Sequence, residues 1–208
     1  MSYPLKEEIA NAITHGVGAL LSIPALIMLI GRATSQGDSL ALMSSIIFGT
    51  SMFILYLCST LMHSIHHHKV RKLFKILDHA AIYILIAGTY TPFLLLTIKG
   101  TLGWVLFAII WTIAIGGVVF KSLFIGRFNV ISTIAYVIMG WLIVVAIKPL
   151  YDGLELAGFW LLVGGGVLYT VGAIFYLWEK LPFNHAIWHV FVLSGSACMF
   201  LCVWLFVI

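Results

Sequence analysis

The chain reads as an all-α polytopic membrane protein, a bundle of seven transmembrane helices, and three observations predict it. Hydrophobic residues make up 62% of the 208 and charged residues only 9%, more apolar surface than a soluble domain of this length needs. Apolar runs of about 20 residues, the length that crosses a bilayer, recur at 10–32, 40–63, 78–98, 102–121, 129–147, 157–178 and 185–207. The basic residues are also distributed unevenly. With the N-terminus cytoplasmic, Lys6, Lys69, Arg71, Lys72, Lys75, Lys121, Arg127 and Lys180 lie inside, and only Arg32, Lys99 and Lys148 lie outside. The positive-inside rule therefore orients the bundle with its N-terminus in the cytoplasm and its C-terminus outside. Short connections leave no room for a separate soluble unit, so residues 1–208 are expected to form one domain. The net charge of +4 comes from few charges whose placement matters more than their sum, and it does not point to nucleic acid.

The elements follow in order. The leader, residues 1–10, sets Glu7 and Glu8 against Lys6 and is followed by no small-x-small cleavage site, so it lacks the marks of a signal peptide. It is expected to lie along the inner surface as a short amphipathic or irregular piece. Pro24 should kink the first helix, with neighbouring helices satisfying the released carbonyl. Ser35, Gln36, Gly37, Asp38 and Ser39 form a turn signal on the outer side. The second helix runs inward to His63. The longest loop, 64–77, carries His66, His67 and His68 with four basic residues, and reads as a solvated segment at the headgroups, where each Lys or Arg gains about 1 kcal/mol from anionic lipid.

The third helix is expected to open at Asp78 and His79 and to carry Pro92 near its outer end. Trp104 and Trp160 should mark the outer interface, and Trp178 and Trp188 the inner one. Gly164, Gly165, Gly166 and Gly172 allow close helix packing. Pro182 and Phe183 lead to Asn184, placed to cap the seventh helix. Cys58, Cys198 and Cys202 fall within apolar runs and read as small hydrophobic residues. Seven spans cannot divide into two equal halves, which counts against an inverted-repeat transporter.

The chemistry gathers at one end of this bundle. Ionisable side chains are costly in a membrane helix and are functional candidates by default. His185 and His189 are four residues apart and share a helix face. His63 closes the second stretch, Asp78 opens the third, and His15 lies near the start of the first. All fall within about two helical turns, ~10 Å, of the inner surface. Three imidazoles with an open fourth position suit zinc of the catalytic type, and His63, His185 and His189 make the best triad. Zinc acidifies its bound water to a pKa of about 7. Asp78 would hydrogen-bond that water or orient a ligand, and could take its proton and pass it to a leaving group. Ser59, four residues before His63, either reaches the same cavity or bonds back to its own helix. His79 lies about 100° around the helix from Asp78 and reads as a packing residue. Glu8, Asn11 and His15 form a polar stripe on the first helix that lines the cavity or supports the ligands.

At these residues the chain resembles a known family. The pattern Glu8-x-x-Asn11-x-x-x-His15, Ser59-x-x-x-His63, Asp78 and His185-x-x-x-His189 on seven spans is similar to the bacterial hemolysin III proteins of the progestin and adiponectin receptor family, which is related to the alkaline ceramidases. The resemblance covers essentially the whole chain. It implies zinc held by His63, His185 and His189 with Ser59 and Asp78 beside it, residence in the bacterial cell membrane, and either hydrolysis of an amide bond in a lipid such as ceramide or a role in membrane-lipid homeostasis. Membrane lipids are then the expected partners, and nothing in the sequence names a protein partner. Two other readings compete: a pore-forming hemolysin or channel, and a receptor-like lipid sensor with a structural zinc. A pore needs a polar path across the bilayer, whereas the ionisable groups here cluster at one end. A retinal-type receptor needs a lysine in the last helix, and residues 185–207 contain none.

Overall fold

A computed structural model describes residues 4–208, and among these residues every regular element is helical. Seven helices are long and apolar enough to span a membrane: α1 (Leu5–Gln36), α2 (Ser39–Ser64), α3 (His68–Ile98), α4 (Gly100–Leu123), α5 (Asn129–Gly153), α6 (Leu156–Leu177) and α7 (Asn184–Val207). Large apolar side chains such as Leu20, Ile115, Leu123 and Val145 stand exposed on the outside of the bundle. A surface of that kind is stable against lipid tails and not against water.

The turn between α1 and α2 forms where its residues require it. Gly37 adopts the left-handed conformation, φ 69°, that ends α1. Asp38 then caps α2, its Oδ1 accepting from the backbone N–H of Leu40 at 2.8 Å and Ala41 at 3.3 Å.

Several boundaries differ from the sequence expectation. α1 starts at Leu5, so most of the expected surface leader is the first turns of a spanning helix, with Glu8 and Asn11 buried; residues 1–3 lie outside the described residues. α1 also runs through Pro24 as one continuous helix. α3 starts at His68 rather than Asp78, which shrinks the expected 64–77 loop to residues 65–67. The added turns carry Lys69, Arg71, Lys72 and Lys75, good helix formers that a search for apolar runs passes over. His66, His67 and His68 are all exposed.

Asn184 does not cap α7. It is the first residue of the helix, preceded by Phe183 at φ 57°, and its Nδ2 donates to the carbonyls of Tyr176 at 3.2 Å and Phe175 at 3.4 Å. It thereby satisfies the end of α6 and ties it to the start of α7. Trp188 also departs from expectation. Trp104, Trp160 and Trp178 are exposed, but Trp188 is 8% exposed and packs against Tyr176, His185 and His189. The period of α7 puts it on the bundle side, where it forms a wall of the histidine cluster.

Polar side chains join the helices deeper in the bundle. Tyr56 donates to Ser196 Oγ at 2.6 Å, and the Tyr169 hydroxyl meets the same oxygen at 2.8 Å. In α5 the α-helix tightens into a 3₁₀ stretch over Leu142–Ala146. The Tyr90 hydroxyl mends this break, donating towards the carbonyls of Met139 and Gly140 and accepting from the N–H of Ile143 at 2.8 Å. In hydrocarbon a freed backbone group needs such a partner. Gly165 and Gly172 do allow close packing: a Cβ at either would meet α7 at 2.8 Å, on Met199 and Phe191 respectively. Gly164 faces open space.

Candidate metal centre

Three helix ends meet where the polar residues collect. The last turns of α2 present His63, the first turns of α7 present His185 and His189, and the first turns of α1 present Glu8, Asn11 and His15, all buried. One ligand-capable atom from each of His63, His185 and His189 lies within 4.8 Å of the other two. The ring centroids are 5.0 Å apart for His63 and His185, 5.4 Å for His63 and His189, and 4.5 Å for His185 and His189. The sequence-derived triad is thus brought together by the fold.

The surroundings of two rings fix which nitrogen carries the lone pair. His63 Nδ1 lies 2.6 Å from Glu8 Oε2, and a carboxylate can only accept there, so Nδ1 carries the proton and Nε2 the lone pair of the neutral ring. Glu8 is itself held by Arg71, which donates through Nη2 to Oε1. At His189, Nδ1 faces the carbonyl of Asn11 at 3.2 Å and Thr14 Oγ1 at 3.0 Å. The Thr14 proton is already directed to the carbonyls of Ala10 and Asn11, so Thr14 accepts, and Nδ1 of His189 is again the donor. Its Nε2 is buried and has no hydrogen-bond partner among the described residues. A histidine held through one nitrogen by a carboxylate or carbonyl, with the other aimed at a shared point, is how proteins prepare imidazole ligands.

The donor set fits a zinc-type ion. Nitrogens bound to one tetrahedral zinc at 2.0–2.1 Å each lie about 3.4 Å apart. The three rings, whose ligand-capable atoms lie within 4.8 Å of one another, would close on such an ion with inward shifts of up to about 0.8 Å.

The remaining expected residues fall into distinct places. His15 does not join the triad; its ring stacks on His189, centroids 3.4 Å apart and 11° from parallel, and it braces that ring from behind. Asn11 contributes its backbone carbonyl to His189, while its side-chain amide is buried without a partner among the described residues. Ser59 is buried one turn before His63, and its Oγ makes no hydrogen bond among the described residues, so it does not bond back to its own helix. Asp78 is 1% exposed. Its Oδ2 lies 3.4 Å from His79 Nδ1, which donates to the Lys75 carbonyl at 2.9 Å, and its Oδ1 has no hydrogen-bond partner among the described residues. Cys58, Cys198 and Cys202 are free thiols, and Cys202 donates weakly to the Gly158 carbonyl.

Thr14, Arg71 and Trp188 were not singled out as part of the site from sequence. Thr14 was within reach, being three residues from Asn11 on the same helical stripe. Arg71 was hidden by the reading of its segment as a solvated loop.

Asp78, His79 and His185 also line a cavity of about 130 Å³ that continues between α3, α5, α6 and α7, past Ile82, Ile86, Val137 and Trp141. Of the triad, His185 alone contributes to its wall. One end is therefore polar and beside the histidines, and the rest is mostly apolar, interrupted by hydroxyls such as those of Thr89, Tyr169 and Thr170.

Fold and site together define a class: a multi-pass membrane protein whose helix ends enclose a histidine cluster able to hold a metal. The chain belongs to the Haemolysin-III related family, whose profile matches residues 3–200. It is 66% identical over 208 residues to Hemolysin-3 of Bacillus cereus, covering 100% of this chain and 95% of that protein. It is 60% identical over 201 residues to the Hemolysin-3 homolog of Bacillus subtilis (strain 168), covering 97% and 94%. A more distant likeness, 30% over 206 residues, links it to the human monocyte to macrophage differentiation factor, covering 95% of this chain and 83% of that protein. Its bacterial relatives and seven apolar helices make it a multi-pass bacterial membrane protein.

Proposed function

We propose that this protein is a zinc-dependent hydrolase that cleaves an amide bond in a membrane lipid such as ceramide. The observation that carries the reading is the juxtaposition of a three-histidine cluster with a buried carboxylate, Asp78, at the polar end of a cavity whose remainder is mostly apolar. A lipid can lie with its chain between helices and its head beside the histidines.

His63, His185 and His189 would hold the ion. Zinc bound there supplies Lewis acidity, polarising a carbonyl and making water a better nucleophile near neutral pH. The protein's own groups do the rest. Glu8 and Arg71 hold His63 in the tautomer that presents Nε2, and Thr14 with the Asn11 carbonyl does the same for His189. Asp78 Oδ1 is suited to accept a proton from the attacking water and return it to the departing amide nitrogen, so that the products are a carboxylate and a free amine. The Ser59 hydroxyl can donate to an oxygen developing charge near His63. The apolar walls exclude bulk water, which strengthens each of these interactions.

The deciding experiment is Asp78→Asn in purified protein, with lipid amidase activity and bound zinc measured together. General acid–base assistance is worth about 10² to 10⁴ in rate. The variant should fold and keep its zinc yet lose hydrolysis by that order. Full activity in the variant would overturn the role of Asp78, and loss of zinc with thermal stability would make Asp78 a structural anchor. Hemolysis is part of the names of two relatives; for this chain the pore reading calls for ionic conductance in planar bilayers, which the one-ended clustering of its ionisable groups does not favour.

A further inference from the structure

Lys121 lies in the last turn of α4. The ordinary use of a lysine there is to reach out to headgroups or to complement the carbonyls at the helix end. Lys121 is instead 1% exposed and lines the cavity that begins at Asp78 and His185. Among the described residues no carboxylate forms an ion pair with it: the acidic groups in ion pairs are Glu8, Asp78 and Asp152, held by other residues. Among the described residues it makes no hydrogen bond either. The hydroxyls of Ser132 and Thr133 share the cavity wall; their protons go to the carbonyls of Phe128 at 3.0 Å and Asn129 at 2.9 Å, and neither hydroxyl brings a negative charge to Lys121. Lys121 is the single cation among the described residues of this wall. A buried, unpaired ammonium is costly in the membrane interior and marks a functional site with an expected counter-charge.

The shape of the cavity says what brings that charge. Beyond its polar end the wall is mostly apolar, with Ile82, Leu85, Ile86, Val137, Trp141 and Met199 in it beside a few hydroxyls. We propose that the cavity binds an amphiphile whose anionic head, a carboxylate or phosphate, pairs with Lys121 while its hydrocarbon chain lies along the apolar wall. This deepens the hydrolase reading by narrowing its lipid from the neutral ceramide type to one with a negatively charged head, and it rests on that reading only in taking this cavity as the substrate site. Lys121 acts as a specificity determinant through charge and does not touch the metal ligands.

The test measures binding without turnover. The protein is placed in nanodiscs of phosphatidylcholine, and quenching of its tryptophan fluorescence is followed with a brominated long-chain fatty acid, its methyl ester and a brominated alkyl phosphate. Trp141 and Trp188 line the cavity and report on occupancy. The acid and the phosphate should bind at least about tenfold more tightly than the ester, as expected for a charge-assisted contact. K121Q should bring acid and ester to within about twofold, and K121R should restore most of the preference. Should K121Q fail to fold, judged by its melting temperature, the comparison of acid with ester on the unaltered protein and on K121R still decides. Equal binding of acid and ester by the unaltered protein, or an unchanged preference in K121Q, would overturn the proposal. So would displacement of the bound acid by acetate or inorganic phosphate as effective as by the long-chain anions, because the site would then serve a free anion. Discrimination without any lipid hydrolysis would count against the hydrolase reading alone, and hydrolysis without discrimination against this proposal alone.

Discussion

A glutamate buried among membrane helices is costly unless both of its oxygens are engaged, and Glu8 divides them between His63 and Arg71. Glu8→Gln keeps the shape but weakens the acceptor that holds the His63 proton. Mutating such supporting partners costs about 10- to 100-fold in metal affinity, so the variant should surrender its metal to a chelator at correspondingly lower concentration while its helices stay folded. The ligands themselves should be less forgiving. Alanine at His63, His185 or His189 should each reduce bound metal sharply, whereas alanine at His66, an exposed loop residue, should leave metal content unchanged. Metal analysis of the purified variants checks both, and dependence on His66 with indifference to His185 would show that the wrong histidines carry the ion. At this scale the triad and Asp78 were legible because costly residue types recurred at helix ends of matching depth. Thr14 and Arg71 were less so, because their roles depend on partners 175 and 63 positions away.

The helices themselves were legible through length and apolarity, and their ends were not. Residues 68–77 extend α3 although four of them are basic, since charge opposes membrane burial but not helix formation. That extension carries Arg71 to Glu8. The glycines of α6 show how uneven one small-residue cluster can be. Gly172→Leu would drive a side chain into Phe191 and Trp188 and should cost about 1–3 kcal/mol by overpacking. Gly164→Leu projects into open space and should change the melting temperature little. Thermal melts of both variants in the same detergent check the contrast, and equal destabilisation would show that α6 packs through a different face. The break in α5 offers a second test. Tyr90→Phe removes the hydroxyl that serves Met139, Gly140 and Ile143, and should make the amide of Ile143 exchange faster with solvent deuterium.

Across the whole molecule the charge distribution carries the orientation proposed here, N-terminus in the cytoplasm and C-terminus outside. A reporter fused at the C-terminus should be found outside and one inserted at residues 65–67 inside; both on one side would refute that topology. The bundle is tied at the opposite end by Arg32, whose Nε donates to the Ile208 carbonyl at 2.6 Å and whose guanidinium lies over Trp204. The end of α1 and the end of the chain therefore share a face, and the histidine cluster lies at the other.

Composition and period determined by themselves that this chain is a seven-helix membrane bundle, and the cost of burying ionisable groups in hydrocarbon marked His63, Asp78, His185 and His189. Those inferences need only the solvent and the helix repeat. Tertiary structure decided what depends on distant partners: that His15 stacks behind His189 instead of joining the ligands, that Glu8 and Thr14 set the tautomers of His63 and His189, and that Lys121 turns into the cavity instead of towards the headgroups. A helix repeat tells which residues share a face, but only the packing of the other helices tells what that face meets.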